Sequence, residues 1–156
     1  MLCSLGRPPS RMATLGSDDS GCSVGRLHAT VTPAELESGL AHYTLGNLLE
    51  LKGIAAGITN TNYFVTTTQG RYVLTLFETL TLDELPYYLN LMSHLARHGV
   101  ACPAPMADRT DRFASLLAGK PACLVSCLNG GDVPEPGAAH CRAVGAMMAD
   151  MHLAGD

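Results

Sequence analysis

The segment from Lys52 to Glu78, KGIAAGITNTNYFVTTTQGRYVLTLFE, constrains the fold of this chain more than any other segment. Two runs of β-branched and aromatic residues, Tyr63–Thr68 and Arg71–Glu78, flank the turn signal Gln69-Gly70, a pattern typical of a β-hairpin. The loop before them, Gly53–Asn62, is rich in small residues and side-chain donors. Such a loop either lays backbone N–H groups over a polyphosphate or simply closes a turn, and the local pattern alone favours the turn.

Capping boxes predict two helices on either side of this hairpin. The first begins after Thr32, with Glu35 completing the box, and ends near His42. A strand over 45–54 then leads into the loop. The second helix opens at Thr81-Leu-Asp-Glu84 and runs to about residue 98, because apolar residues recur there at helical spacing.

The remaining elements are a second hairpin and a final helix. Runs over 112–118 and 122–128 read as strands that turn at Gly119-Lys120, and Ala138–Ala154 reads as a helix. Helices and strands do not alternate strictly, so a doubly wound parallel sheet is not expected. The sequence predicts an α+β fold, with about five antiparallel strands and one helix packed across the sheet.

Composition restricts the classes of partner. A 156-residue chain with 47% hydrophobic residues is expected to form one globular domain. Its net charge of −4 gives no basic surface for nucleic acid. No apolar run approaches the roughly 20 residues that a membrane-spanning helix needs.

The six cysteines predict neither a zinc site nor a disulfide. No CxxC pair is present, which leaves a zinc ribbon unsupported. Cys123 and Cys127 are four residues apart in a predicted strand, so their Cα atoms would lie about 13 Å apart, too far for a bridge. We expect reduced, buried thiols in a cytoplasmic protein.

Residues 1–30 differ from the rest of the chain. Ser, Gly and Arg dominate, and no hydrophobic period is present. Asp18 and Asp19 argue against a transit peptide, and the stretch lacks the apolar core of a secretory signal. We expect a disordered N-terminal extension, such as upstream sequence translated ahead of a later start at Met12 or beyond.

The final helix, Ala138–Ala154, is apolar on almost every side. A helix of that kind is normally buried in a soluble protein. Little sequence follows it that could cover it. Two interpretations stay open: the chain is one lobe of something larger, or it self-associates through this helix.

The order of elements, with a small-residue loop between the first two strands, resembles the N-terminal lobe of a protein-kinase-like fold. Six motifs narrow the resemblance to bacterial homoserine kinases of the aminoglycoside/choline kinase-like phosphotransferase type. The resemblance covers roughly residues 31–155 and rests on these motifs in order: GIAAGITNTNYFVTT, GRYVLTLFE, DELPYYLNLMSHLARHGV, CPAP, LAGKPACLVSCLNG and GAMMADMHLAG.

This resemblance implies a domain division and an activity. Residues 31–128 would form the kinase-like N-lobe, and 129–156 would be the hinge exit and first helix of a C-terminal lobe, with the chain ending before the catalytic part. The activity implied is ATP-dependent phosphorylation of the L-homoserine hydroxyl to O-phospho-L-homoserine, a step toward threonine. ATP, Mg²⁺ and L-homoserine are the implied ligands.

The resemblance also implies nucleotide-binding residues. The loop Gly53–Asn62 would lie over the phosphates, and a hinge at the end of the fifth strand would meet the adenine edge through its backbone. The residues implied are Gly57, Thr59, Asn60, Asn62 and Thr75 for the phosphates, and Ser126, Cys127 and Leu128 for the base.

Two departures from kinase patterns limit this expectation. Kinases place a lysine on the third strand, paired with a helix glutamate; here Thr75 stands in that run, and Lys52 or Arg71 would have to substitute. Glu84 is the first helix carboxylate to consider as the partner of such a cation, although a capping box is the better explanation for a glutamate at this position. Second, no H-G-D-x-x-x-x-N loop occurs, and His152 is expected to be structural.

We therefore predict no catalytic residues and no metal ligands within these 156 residues, and no turnover by the chain alone. Two alternatives stay open. The chain could derive from another small-molecule kinase of the same superfamily, or it could be a non-catalytic fragment that binds a nucleotide or a partner.

Overall fold

The structure, a computed structural model, describes residues 30–55, 59–131 and 133–155. Within them the chain forms three helices and five strands. Their bounds are α1 Pro33–Leu40, β1 Leu48–Ile54, β2 Thr61–Thr67, β3 Gly70–Leu76, α2 Leu85–Arg97, β4 Ala114–Leu117, β5 Lys120–Ser126 and α3 Ala138–Ala154. The predicted N-terminal extension lies outside the described residues, except for Thr30.

All five strands form one antiparallel sheet in the order β1-β2-β3-β5-β4. β2 and β3 make the predicted tight hairpin, in which Thr67 pairs with Gly70. The second hairpin turns one residue earlier than predicted, at Ala118 and Gly119, which both have positive φ. The α+β kinase-like N-lobe is thereby confirmed.

One face of the sheet, called here the α1 face, carries the larger hydrophobic core. Alternate residues of β2, β3 and β5 point to this face and pack against α1, because successive side chains of a strand point to opposite sides. The buried residues of this core are Val31, Leu36, Leu40, Tyr43, Leu45, Tyr63, Val65, Leu74, Leu76, Ala122 and Leu124.

The opposite face, called here the α2 face, is only partly covered. Leu85 and Leu89 of α2 pack against Cys123 and Val125 of β5, with Val73 of β3 at the margin. The residues of β1 and β2 on this face are half-buried or exposed. An uncovered area therefore extends from β3 to β1.

Helix α1 begins where its capping box predicts. Thr32 Oγ1 accepts from the backbone N–H of Glu35, and the Glu35 carboxylate accepts from Thr32 N–H at 2.8 Å. Hydrogen bonds from the N–H and the hydroxyl of Thr32 to the Glu35 carboxylate hold the pKa of Glu35 below its ordinary value. The helix ends at Leu40, two residues before the predicted end.

Helix α2 begins one turn later than predicted. The Glu84 carboxylate accepts from both the N–H and the Oγ1 of Thr81, which lowers the Glu84 pKa, but 82–84 form a turn and not a helical turn. The helix starts at Leu85, with Pro86 in its first turn, where a missing N–H costs nothing. The proline, more than the box, sets this boundary.

Helix α3 has the predicted bounds but not the predicted burial. None of its residues is buried, and Met148 and Leu153 are 53% and 73% exposed. Its contact with α2 includes a hydrogen bond of 2.6 Å, donated by His94 Nε2 to the Ala154 carbonyl oxygen. This apolar helix is exposed because, among the described elements, its contact with α2 is too limited to bury any of its side chains.

The expectation of buried cysteines holds for one of the four that are described. Cys123 is buried, and burial raises the pKa of its thiol to about 12. Cys102 and Cys127 are half-buried, and Cys141 is exposed on α3. These four thiols are free. Cys127 lies beyond the end of β5 and so does not share the strand with Cys123.

Among the described residues, no helix is both long enough and apolar enough to span a membrane.

Candidate nucleotide-binding face

Two predicted phosphate-binding residues meet at the loop end of the α2 face. Asn62 of β2 lies opposite Thr75 of β3, and Thr75 Oγ1 donates to Asn62 Oδ1 at 2.8 Å. The Asn62 Nδ2 donates to the Asn60 carbonyl oxygen at 3.5 Å. Thr75 therefore orients the Asn62 amide. This hydrogen bond joins two neutral groups, whereas kinases place a charged lysine on the corresponding strand.

Two of the three other predicted loop residues are described, and both lie close to Asn62 in the sequence. Thr59 is exposed and Asn60 is half-buried, immediately before β2. Gly57 lies outside the described residues. The loop side chains that are described thus gather at the edge where β1 ends and β2 begins.

An apolar pair lies beside the polar pair on the same face. Phe64 is two residues beyond Asn62 on β2 and lies opposite Val73 of β3. Both side chains are half-buried. Sequence reasoning missed these two residues, although the period of two from Asn62 and Thr75 would have placed them on this face.

Two cations flank Phe64. The Arg71 guanidinium carbon lies 5.4 Å from the centre of the Phe64 ring, within cation–π range. Lys52 of β1 pairs with Phe64 across the strands and is exposed. Both cations are on the α2 face, and neither forms an ion pair with a described residue.

The predicted hinge lies at the other end of β3. The Ser126 N–H donates to the Ala104 carbonyl, and the Cys127 N–H donates to the Arg71 carbonyl at 3.3 Å. Two of the three predicted hinge amides are therefore used within the protein. The Leu128 N–H has no partner among the described residues, which leaves it as the hinge amide available to a ligand.

These groups form a line along the uncovered area. Arg71 and Thr75 are four positions apart on β3, so their Cα atoms lie about 13 Å apart at ~3.3 Å per residue. Polar side chains stand at the loop end, an apolar pair lies between, and a backbone donor lies at the hinge end. We call this area the nucleotide face.

Glu84 does not reach the nucleotide face. It is exposed and accepts from Thr81, as its capping box predicts. His152 is also exposed, and its carbonyl accepts from the Gly155 N–H at the end of α3. Within the described ranges, no three His, Cys, Asp or Glu side chains come close enough to hold a metal ion.

A large cavity lies elsewhere in the described part of the chain. It measures about 700 Å³ and is bordered by α1, the 43–48 segment, Gln69 and Arg109. None of the predicted nucleotide-binding residues lines it. This cavity therefore does not coincide with the nucleotide face.

Comparison with known proteins places the chain in a family. The family model described as "Phosphotransferase enzyme family" matches residues 50–155, about two thirds of the chain. This match includes the described part of the nucleotide face, the hinge and α3.

Individual relatives are named homoserine kinases. The chain is 53% identical to one from Neisseria meningitidis over 128 residues, which are 82% of this chain and 42% of that protein. It is 53% identical to one from Methylobacillus flagellatus, covering 81% of the chain and 40% of the relative. A third, from Janthinobacterium, is 51% identical over 126 residues, 81% of the chain and 39% of that protein. The chain spans about two fifths of the length of these relatives, and it belongs to the phosphotransferase enzyme family.

Proposed function

We propose that this chain forms the nucleotide-binding lobe of an ATP-dependent homoserine kinase. The observation that carries the proposal is the nucleotide face, where the Asn62–Thr75 and Phe64–Val73 pairs lie side by side, with Leu128 just beyond the end of β5. Identity of about 50% to homoserine kinases supports the choice of acceptor.

Each part of the face would bind one part of the nucleotide. Phe64 and Val73 would contact the adenine ring, because apolar and aromatic side chains stack against bases. The Leu128 N–H would donate to the edge of the ring. Asn60, Asn62 and Thr59 would donate to the phosphates, together with backbone N–H groups of the loop that includes Gly57.

The other expectations from the sequence belong to the same proposal. Mg²⁺ would neutralise the phosphates, and its ligands would come from outside these residues. Phosphoryl transfer to the homoserine hydroxyl would need a catalytic aspartate from a second lobe, which α3 would begin. The product, O-phospho-L-homoserine, would serve threonine synthesis in the cytoplasm.

Isothermal titration of MgATP into the purified chain tests the nucleotide face. We expect weak, saturable binding, with a Kd on the order of millimolar, because only half of a kinase site is supplied. Phe64→Ala should weaken it about tenfold through the loss of base stacking. Tyr87→Ala is the matched control, since it removes an exposed aromatic ring from α2. Binding that Phe64→Ala leaves unchanged would contradict the proposed base site.

A phosphorus NMR assay with MgATP and L-homoserine tests where the chemistry resides. The 156-residue chain should form no O-phosphohomoserine. Formation of that product at an ordinary kinase rate would show that the chain holds its own catalytic groups and would refute the assignment to a second lobe.

A further inference from the structure

Three side chains form a bonded cluster beside the loop that leads into β2. Thr61 Oγ1 donates to Glu78 Oε1 at 3.0 Å, and Glu78 Oε2 pairs with the Lys120 ammonium. Thr61 is 2% exposed, and the side chains of Glu78 and Lys120 are 14% and 32% exposed. We call this cluster the loop clamp.

The loop clamp joins three strands at one end of the sheet. Thr61 is the first residue of β2, Lys120 is the first residue of β5, and Glu78 lies two residues beyond the end of β3. A backbone bond of 2.8 Å from Phe77 N–H to the Pro121 carbonyl closes the same end. The three chain segments are therefore fixed relative to one another at the point where the loop Gly53–Asn62 leads into β2.

Charge makes the clamp firmer than a bond between two neutral groups. A hydroxyl that donates to a carboxylate forms a charge-assisted hydrogen bond, roughly twice as strong as a neutral one. The Lys120 ammonium pairs with the Glu78 carboxylate, which is mostly shielded from water. The hydroxyl of Thr61 therefore donates to a carboxylate that is itself paired with a cation.

The position of Thr61 between Asn60 and Asn62 gives the clamp a consequence for ligand binding. Thr61 is held on the α1 face by Glu78, and Asn62 is held on the α2 face by Thr75. The start of β2 is therefore fixed from both faces of the sheet. A slip of one residue would exchange the faces of Thr61 and Asn62 and break both bonds.

We propose that Glu78, supported by Lys120, is a positioning residue that holds Asn60 and Asn62 toward the phosphates of a nucleoside triphosphate. It acts through Thr61 and does not touch the nucleotide itself. This inference rests on the proposed function for its ligand, while the clamp itself can be tested without one.

The test compares Thr61→Val, which removes the hydroxyl, with Thr61→Ser, which keeps it. Thr79→Val is the matched control, because Thr79 is exposed and lies outside the clamp. NMR first measures amide hydrogen exchange without ligand at 61–63, relative to 67–70 at the other end of the hairpin. We expect this ratio to rise about fivefold in Thr61→Val and to stay at the wild-type value in the other two variants.

The second readout is the affinity for MgATP divided by the affinity for adenosine, from chemical shift titrations. Thr61→Val and Glu78→Ala should lower this ratio about fivefold and leave adenosine binding unchanged, whereas Thr61→Ser should restore it. Equal acceleration of exchange at both ends of the hairpin, or an unchanged affinity ratio, would overturn the positioning role. If the wild-type chain binds neither ligand, the proposed function fails, and the exchange ratio alone decides on the clamp.

Discussion

At the scale of the residue, side-chain type indicated the chemistry but not the contacts. The loop donors could be named from the sequence, because amides and hydroxyls next to glycines are suited to phosphates. That Thr75 bonds to Asn62 depends on the register between β2 and β3, which the sequence pattern does not specify to one residue. Phe64 and Val73 were missed although the period of two along each strand places them on the same face as Asn62 and Thr75.

The hinge shows a second limit at this scale. The backbone of Ser126, Cys127 and Leu128 was predicted to meet the base, and which of its N–H groups are used within the protein could not be inferred from the sequence. Two of them are used by Ala104 and Arg71, which come from distant parts of the chain. Long-range backbone pairing of this kind leaves no local signal in sequence.

Asp108 provides a pH-dependent prediction at the residue scale. The Thr110 hydroxyl, then the backbone N–H groups of Arg112 and Thr110 and the Arg112 charge, outweigh burial and lower its pKa from 3.8 to about 2. A lowered folded-state pKa stabilises the fold above the unfolded pKa, and this contribution is lost as pH falls from about 4 to 2.

Asp108→Asn removes this contribution. Urea unfolding should show the variant less stable than the wild type at pH 7, and the difference should shrink between pH 4 and pH 2. Asp83→Asn, an exposed carboxylate, is the control and should differ little from the wild type at any pH. If the difference in unfolding free energy between the wild type and Asp108→Asn stays constant over this pH range, the lowered pKa of Asp108 does not contribute to stability in this way.

At the scale of the element, local signals placed every helix and strand of the described chain to within a few residues. Thr32 and Glu35 fixed the start of α1 because a capping box is a short-range interaction. The same pattern at Thr81 misplaced the start of α2, where Pro86 competes with it. Element type was therefore predictable, while boundaries depended on which local effect was stronger.

Burial was less predictable than element type, as α3 shows. Its apolar composition predicted a covered helix, but burial depends on what packs against it, and the contact with α2 leaves no residue of α3 buried. Val144, Met148 and Met151, spaced four and three residues apart, give it an exposed apolar stripe.

Self-association through this stripe is the prediction that belongs to α3. Light scattering should show a mass above that of a monomer at high protein concentration, and Met148→Glu should lower it, because a buried unpaired charge opposes apolar contact. Ala149→Glu, exposed on another side of α3, is the matched control. A wild-type chain that stays monomeric at all concentrations would rule out this mode of assembly.

At the scale of the whole molecule, the sheet has two faces with different uses. The α1 face carries the larger core, while the α2 face leaves β1, β2 and part of β3 uncovered. The order of elements along the chain predicted the antiparallel lobe, and family membership supports a nucleotide as its ligand. The exposed area follows from α2 covering only the β3–β5–β4 side, which no local pattern predicts.

A chemical shift titration of the isotope-labelled chain with MgATP tests the central claim most directly. We expect saturable shifts at Asn60, Asn62, Phe64, Val73 and Leu128, along the nucleotide face from the loop to the hinge. The cavity beside α1 should be unaffected. Shifts confined to Glu37, Asn47 and Arg109 of that cavity, or none that saturate, would contradict the assignment of the nucleotide face.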